Sequence, residues 1–362
     1  MKFAVVEYHS KSGAIWRANP DKPNYLEDPQ RVIDPTSFGC YVSALHGEHI
    51  PLTLMAGQGQ LLPRAIKRLT GWWPAHYALD YFAQFDVLLV VHQISDAHEL
   101  ARFVRRLRKT FPHIFIIGVP TQPYGLLRSH IERSPLARRH FLNYLQHCHI
   151  FLTVVKSTLP WYASLTSTPV VYMPQIYPVH FAAHYARPRA AKDPSIFVAG
   201  ITGRPAITRG FRAAKALQAA FPHLQIRVTR IPDVSLDTSL LAGCSFDIIP
   251  FQSWREHLPW LAKQKIVINT DYTFTRGRVQ VDCAAVGTPS LGANSDGQTD
   301  LFPQLAATLN TSDDELIALG RRLITDESYY QRQVDFARTR LQKYDYEQSA
   351  ARLLRLVNSH RK

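Results

Sequence analysis

Short apolar segments rich in valine and isoleucine recur along the first half of the chain and alternate with longer amphipathic segments. The strand candidates are Phe3–Glu7 and residues 49–54, 86–92, 114–119, 150–155 and 169–173. Residues 97–110 carry apolar side chains at spacings of three and four, which is typical of one face of a helix. Continuous apolar strands that alternate with helices predict a parallel sheet with crossover helices.

The same alternation begins again in the second half, with strand candidates at residues 195–200, 224–230, 246–251, 266–270 and 288–292. Residues 174–194 are rich in proline, histidine and arginine and show no period, so they separate the two halves. We therefore predict one domain over residues 1–181, a linker at 182–194 and a second domain over 195–362.

The pattern after residue 310 is helical. Ser312 and Glu315 have the spacing of a capping box, which predicts a helix over 313–325, and a further helical pattern runs from 328 to the end. The expected fold class is α/β, with two tandem Rossmann-like domains facing a central cleft and with C-terminal helices. Such sheets bind ligands outside the carboxyl ends of their strands.

The charge of the chain favours a polyanionic partner. Lys and Arg number 42 against 28 Asp and Glu, which gives a net charge of +14. Residues 102–139 concentrate this charge, with nine Arg or Lys against the single acid Glu132. A phosphate-bearing substrate, an anionic lipid and a nucleic acid all fit such a charge, but no RNP, zinc-finger or helix-turn-helix signature supports the last.

The location expected from the sequence is cytoplasmic. The longest apolar runs are too short to cross a bilayer, and the first residues have the pattern of a strand rather than of a secretory leader. Cys40, Cys148, Cys244 and Cys283 lie far apart without paired spacing, which predicts buried or half-buried free thiols rather than a zinc site or disulfides.

Several motifs occur in a fixed order. Thr168-Pro-Val-Val-Tyr-Met-Pro174 ends the first half, and the first strand of the second half is followed by Gly203-Arg204-Pro-Ala-Ile-Thr-Arg209-Gly210-Phe211. Asp282-Cys-Ala-Ala-Val-Gly287-Thr288-Pro289 comes later, before the closing helices. In this order the motifs resemble those of the retaining GT-B glycosyltransferases of the group 4 type. The resemblance covers residues 195–357 well and the first domain in outline.

The resemblance implies transfer of a sugar from a nucleotide-diphosphate donor, with retention, without a metal ion and without a cofactor. Its implied donor-binding residues are Gly203, Arg204, Arg209, Asp282, Gly287 and Thr288. Arg204 and Arg209 would neutralise the diphosphate where a helix is expected to begin near Gly210. Asp282, expected just inside a helix, would accept hydrogen bonds from the ribose.

The first domain contributes two further candidates. His92 ends a predicted strand, and a histidine there contacts the donor sugar in the family, so His92 joins Arg204 and Arg209 as a predicted catalytic residue. A strand-end histidine bonded only to backbone is the alternative. The family's glycine-rich loop near the acceptor is reduced here to Lys11, Ser12 and Gly13.

Two positions depart from the family pattern, and the first of them favours an alternative function. The family pairs two glutamates eight positions apart, but the position eight residues before Asp282 is Phe274. The family's lysine is replaced by Arg209, which keeps the charge but changes its shape. The alternative is a GT-B-like binding or scaffold protein without turnover.

Residues 61–77 interleave basic, aliphatic and aromatic side chains, including Arg64, Lys67, Trp72 and Trp73. Such a helix would lie on an anionic membrane surface, which agrees with a lipid-linked or otherwise anionic acceptor and a peripheral location on the inner face of the membrane. An ordinary amphipathic helix with its tryptophans in the core is the alternative, and nucleic acid remains the rival polyanion.

Overall fold

The computed structural model describes residues 1–8, 15–17, 38–52, 79–199, 204–230 and 236–361. The chain forms two compact units, of which the first comprises Met1–Tyr177 together with Tyr346–Lys362 and the second comprises Pro178–Asp345. This division differs from the predicted one. Residues 182–194 belong to the second unit, and the last helical segment returns to the first.

The strands of the first unit are β1 (Phe3–Glu7), β2 (Trp16–Arg17), β3 (Glu48–Pro51), β4 (Val87–His92), β5 (Phe115–Pro120), β6 (Ile150–Thr153) and β7 (Val170–Tyr172). Within the described residues they form one sheet in the order β2-β3-β1-β4-β5-β6-β7. β2 runs antiparallel to β3, and the other neighbours are parallel. Every strand predicted in this half is present, and β2 is a short addition.

The helices of this half are α1 (Gly39–Ala44), α2 (Leu79–Phe82), α3 (Ala97–Thr110), α4 (Tyr124–Arg133), α5 (Pro135–Leu145) and α6 (Leu159–Leu165). α3 packs on α5, and their apolar faces share a core with alternate residues of β1 and β4, such as Val6 and Val90. Gly118 leaves room for α5, because a Cβ there would lie 2.9 Å from the Tyr144 hydroxyl. That hydroxyl donates to the Val90 carbonyl at 2.5 Å and fixes α5 to the sheet.

The second unit contains β8 (Ser195–Ala199), β9 (Gln225–Arg230), β10 (Phe246–Pro250), β11 (Ile266–Asn269) and β12 (Ser290–Gly292). Over the described part of this unit the order is β10-β9-β8-β11-β12, and all neighbours are parallel. Its helices are α7 (Val179–Ala183), α8 (Arg204–Ala220), α9 (Trp254–Leu261), α10 (Arg278–Val286), α11 (Asp296–Leu301), α12 (Asp313–Thr325) and α13 (Glu327–Leu341). The capping box of Ser312 and Glu315 at the start of α12 is confirmed.

The helical pattern at the C-terminus is divided. A 3₁₀ turn over Gln342–Tyr344 follows α13, and the last helix is α14 (Tyr346–His360). α14 packs against α1 of the first unit, with Ala350, Leu353 and Val357 buried. The α/β class with two Rossmann-like sheets is therefore confirmed, although the last helix belongs to the first unit.

Candidate functional site

The second sheet has a topological switch point at β8. This strand lies between β9 and β11, so the order of the chain reverses there. α/β sheets bind ligands outside the carboxyl ends of the strands at such points. The elements that follow these ends are α8, which comes after β8, and the loop of residues 270–277, which comes after β11.

α8 begins at Arg204 and not near Gly210, so the expected start of this helix was wrong. Gly210 marks close packing instead, because a Cβ there would lie 2.8 Å from Val198 Cγ1 and 3.2 Å from Thr270 Oγ1. The first N–H groups of a helix have no partner within it and favour an anion. Gly203 and the side chain of Arg204 lie outside the described part of the structure.

Arg209 is buried and bonded to protein acceptors. Its Nε donates to Asp313 Oδ1 at 2.9 Å, and its Nη1 donates to the Tyr272 hydroxyl at 2.7 Å and to the Thr308 carbonyl at 2.8 Å. Its Nη2 donates to the Thr311 carbonyl. In this conformation Arg209 joins α8 to the loop after β11 and to the start of α12. A contact between Arg209 and a diphosphate stays a prediction.

Asp282 lies in the middle of α10 rather than at its start. It is 4% exposed, and its Oδ1 accepts a hydrogen bond from the Trp254 indole Nε1 at 2.9 Å. Its Oδ2 lies 3.9 Å from Arg278 Nε. The carboxylate is therefore held within the second unit, and its contact with a ribose stays a prediction.

The loop of residues 270–277 contains two residues with a left-handed backbone. Phe274 has a φ of 54° and Gly277 has a φ of 81°. A non-glycine residue in the left-handed region costs about 1–3 kcal/mol, and such strain is concentrated at functional sites. Asp271 Oδ1 accepts from the backbone N–H and the hydroxyl of Thr273, which stabilises the turn. Sequence reasoning missed Tyr272, because nothing local indicates that this tyrosine meets Arg209.

Gly287 and Thr288 lie at the amino end of β12, opposite the edge where α/β sheets bind ligands. Gly287 ends α10 with a φ of 72°, as expected of a helix C-cap. Thr288 Oγ1 accepts a hydrogen bond from Lys192 Nζ at 2.8 Å in the interior of the unit. Both residues have a structural role in this position, and their contact with a donor stays a prediction.

Lys192 is buried beside Thr288. Its Nζ also donates to the Ala262 carbonyl at 2.7 Å. Desolvation lowers the pKa of Lys192 to about 7. Sequence reasoning missed the burial of Lys192, since it depends on segments far apart along the chain.

His92 ends β4 at the switch point of the first sheet, and its ring lies under α5. The ring centroid is 4.9 Å from that of Phe141 and 5.0 Å from that of Tyr144. Within the described part of the chain neither ring nitrogen has a hydrogen-bond partner, and both are inaccessible to solvent. Burial, followed by the charge of His130, lowers the pKa of His92 to about 3, so the ring is neutral. The contact of His92 with a sugar stays a prediction.

Other sequence predictions concern residues that are not described. Lys11, Ser12 and Gly13 and the basic and aromatic segment 61–77 lie outside the described residues. Across the residues that are described, no helix is both long and apolar enough to cross a bilayer. The four cysteines are all described and are free, three of them buried and Cys244 half-buried.

Comparison with known proteins shows the fold. No family model and no curated protein sequence matches the chain. A sucrose-phosphate synthase from Thermosynechococcus elongatus matches with a TM-score of 0.65 and 15% identity, over 99% of this chain and 98% of that one. A trehalose-6-phosphate synthase studied for glycosyl transfer with retention matches with a TM-score of 0.64 and 12% identity, over 99% of both chains.

A protein of Listeria monocytogenes assigned as a UDP-N-acetylglucosamine 2-epimerase matches less closely. Its TM-score is 0.54 at 11% identity, over 99% of this chain and 96% of that one. Synthases and an epimerase therefore share one architecture with this chain, and fold alone does not fix a reaction. Because the matches extend over nearly the whole chain, including both sheets, the chain has the GT-B fold with two Rossmann-like units.

Proposed function

We propose that the chain is a retaining glycosyltransferase that moves a sugar from a nucleotide-diphosphate donor to an acceptor without a metal ion. The observation that carries the proposal is α8, which opens at the switch point of the second sheet in a full-length GT-B fold. The similar trehalose-6-phosphate synthase is described as acting with retention. One of the motifs that resemble group 4 enzymes, the segment 203–211 of the sequence, includes the start of this helix.

The donor diphosphate binds at the start of α8 in this proposal. Its backbone N–H groups and the helix dipole favour an anion, and Arg204 is the first residue of the helix. The leaving phosphate gains negative charge as the glycosidic bond breaks, so donors already in place stabilise the transition state. Arg209 stabilises the site indirectly, because its hydrogen bond to the Tyr272 hydroxyl positions the loop after β11.

Asp282 and His92 are the proposed contacts to the ribose and to the donor sugar. Both side chains are buried. In this proposal the Asp282 carboxylate gives up its hydrogen bond from Trp254 to accept one from the ribose, and the His92 ring turns away from α5 to reach the sugar. The acceptor is expected to be lipid-linked or anionic because the chain carries a net charge of +14. Segment 61–77 is the proposed contact with the inner face of an anionic membrane, and Lys11, Ser12 and Gly13 are the residues proposed to contribute near the acceptor.

Phe274 favours a second candidate, a GT-B-like protein that binds a nucleotide without turnover. This residue occupies the position where the resembled family has a glutamate, and its backbone is left-handed with a φ of 54°. An apolar ring cannot accept the hydrogen bonds that a carboxylate accepts. The two candidates share the nucleotide site and differ in the chemistry that follows.

Calorimetric titration of UDP, GDP and ADP tests the shared nucleotide site. The expected result is that Arg204→Gln weakens binding of the preferred nucleotide about tenfold or more, since a charge-assisted bond contributes about 1.5–3 kcal/mol. Arg212→Gln is the matched control, because Arg212 lies on the same helix with its side chain 58% exposed. If none of the three nucleotides binds the wild-type chain, both candidates are refuted.

Turnover separates the candidates. Sugar conjugates of the nucleotide that binds are incubated with the chain and with candidate acceptors, in the presence and absence of a chelator. Nucleotide release that survives chelation, with a product of the same anomeric configuration as the donor, supports the metal-free retaining enzyme. Nucleotide binding without release from any donor supports the second candidate.

A further inference from the structure

A basic groove lies between α3 and α5 in the first unit. Its cavity has a volume of about 360 Å³, within the range of small-molecule sites. The polar side chains that line it are His98, Arg102, Arg105, Arg139, His140 and Asn143. None of these residues belongs to the proposed donor site. The groove also contains part of the basic concentration of residues 102–139 that the proposed function does not use.

The α3–α5 groove is lined by three arginines, and Glu99 lies beside it, 3.5 Å from His98. Among the described residues, none of Arg102, Arg105 and Arg139 forms an ion pair with a carboxylate. On the neighbouring helix α4, by contrast, Arg128 is paired with Glu132 at 2.7 Å. Arginines in a concave site that lack acidic partners concentrate a positive potential and attract anions.

Two histidines complete the lining. The rings of His98 and His140 lie 4.7 Å apart between their centroids, one on each helix. Burial, followed by His98 and Arg139, lowers the pKa of His140. The other charged groups facing the pair are Arg102 and Arg105 on α3, with Glu99 beside His98 at 3.5 Å. A bound anion would favour the charged form of both imidazoles.

We propose that the α3–α5 groove binds a ligand that carries a phosphomonoester or a diphosphate group. Three guanidinium groups, two imidazoles and the Asn143 amide offer more donors than the two oxygens of a carboxylate can accept. A terminal phosphoryl group has three acceptor oxygens and about two negative charges, and it accepts bidentate bonds from arginine. The phosphate is carried either by a soluble compound or by a lipid headgroup.

The test uses the full-length chain labelled with ¹³C on its histidine rings. Inorganic pyrophosphate is titrated while the ring signals of His98 and His140 are followed by NMR, with assignments from His98→Gln and His140→Gln. The expected result is a saturable shift of both signals and a rise in the pKa of His140. Because these two rings report on the groove alone, the result does not depend on the proposed donor site.

A matched pair of double variants separates the groove from general charge. Arg102→Gln with Arg139→Gln removes two lining arginines, and Arg106→Gln with Arg138→Gln removes two arginines from the same helices outside the lining. The first should weaken pyrophosphate binding about tenfold or more, and the second less than about twofold. Equal weakening in both variants, or ring signals that pyrophosphate at millimolar concentration does not move, would overturn the proposal.

Vesicles distinguish the two sources of the phosphate. Phosphatidylcholine vesicles with phosphatidic acid carry a phosphomonoester, whereas vesicles with phosphatidylserine of equal surface charge carry none. If the source is a lipid, the wild type and the Arg106→Gln, Arg138→Gln variant bind the phosphatidic acid vesicles, whereas the Arg102→Gln, Arg139→Gln variant does not. Pyrophosphate binding without this difference between vesicles supports a soluble ligand.

Discussion

Arg209 illustrates at the scale of a single residue how burial changes the role of a charged side chain. The sequence predicts that it contacts a diphosphate, but in the structure it is 8% exposed and bonded to four protein acceptors. Removing one partner of a buried polar network leaves the others without bonds and costs more than an exposed pair contributes. Arg209 therefore contributes to the stability of the second unit whether or not a ligand is bound.

Arg209→Ala is expected to lower the free energy of unfolding by about 2–4 kcal/mol, because Tyr272, Asp313 and two carbonyl groups lose their donor. Arg209→Lys should restore only part of this loss, since one ammonium cannot reach all the acceptors. Urea unfolding monitors the change. The control is Arg212→Ala, which removes an exposed partner of the same Asp313 and should cost less than about 0.5 kcal/mol. Similar losses for the two alanine variants would contradict this interpretation.

Lys192 makes stability depend on pH. Its folded pKa is lowered to about 7, whereas an unfolded lysine loses its proton near pH 10.4. Between these values the unfolded state binds more protons, so the contribution of Lys192 to stability rises with pH, and the cost of burying the charge is full below about pH 7. Relative to Lys192→Met, the wild type should gain up to about 1.4 kcal/mol per pH unit from pH 7 upward. Urea unfolding of both proteins from pH 6 to about pH 10 would show the trend, and a constant difference would refute it.

At the scale of the element, strand alternation explains His92. Leu88 and Val90 belong to the core that β4 shares with α3 and α5, and His92 is the next residue on that face. Because side chains alternate between the two faces of a strand, the side chain of His92 lies on the face that α5 covers. The alternation of apolar residues in the sequence therefore already indicated that His92 is buried, whereas the prediction of a ligand contact rested only on its place at the strand end.

α14 shows the opposite case, in which an element is predicted but its partner is not. Its apolar spacing marks a helix, yet no local feature indicates that Ala350, Leu353 and Val357 pack within the first unit. An amphipathic helix shows which face it buries but not the surface that covers this face.

Leu353→Ala is expected to destabilise the first unit by about 2–5 kcal/mol through loss of buried area and the resulting cavity. Hydrogen exchange should then quicken in β1 and α1 while β8 and β11 keep their protection. Arg355→Ala is the control, since it changes an exposed position of the same helix and should leave both units unchanged. Equal loosening of the two units would contradict the assignment of α14 to the first.

At the scale of the whole molecule, the two proposals assign two anionic ligands to two units. A nucleotide diphosphate at about 100 times its dissociation constant should stabilise the chain by about 2.7 kcal/mol. Hydrogen exchange should slow in α8 and the loop after β11 when the nucleotide is added, and in α3 and α5 when pyrophosphate is added to nucleotide-saturated protein. If saturating nucleotide abolishes the slowing in α3 and α5, the two ligands do not occupy independent sites.

The sequence by itself determined the local structure. It predicted the strands of both sheets except β2, and the helix opened by Ser312, because apolar period and capping act over a few neighbouring residues. The motifs resembling group 4 enzymes also indicated the GT-B fold, which the full-length structural matches support.

Only the tertiary structure decided which segments meet. The network around Arg209 joins α8 to residues more than ninety positions away, and the α3–α5 groove exists because two separate helices pack side by side. The return of α14 to the first unit has the same origin. Such contacts depend on which buried faces cover one another, and the free energy that selects them comes from the whole core rather than from any local stretch of sequence.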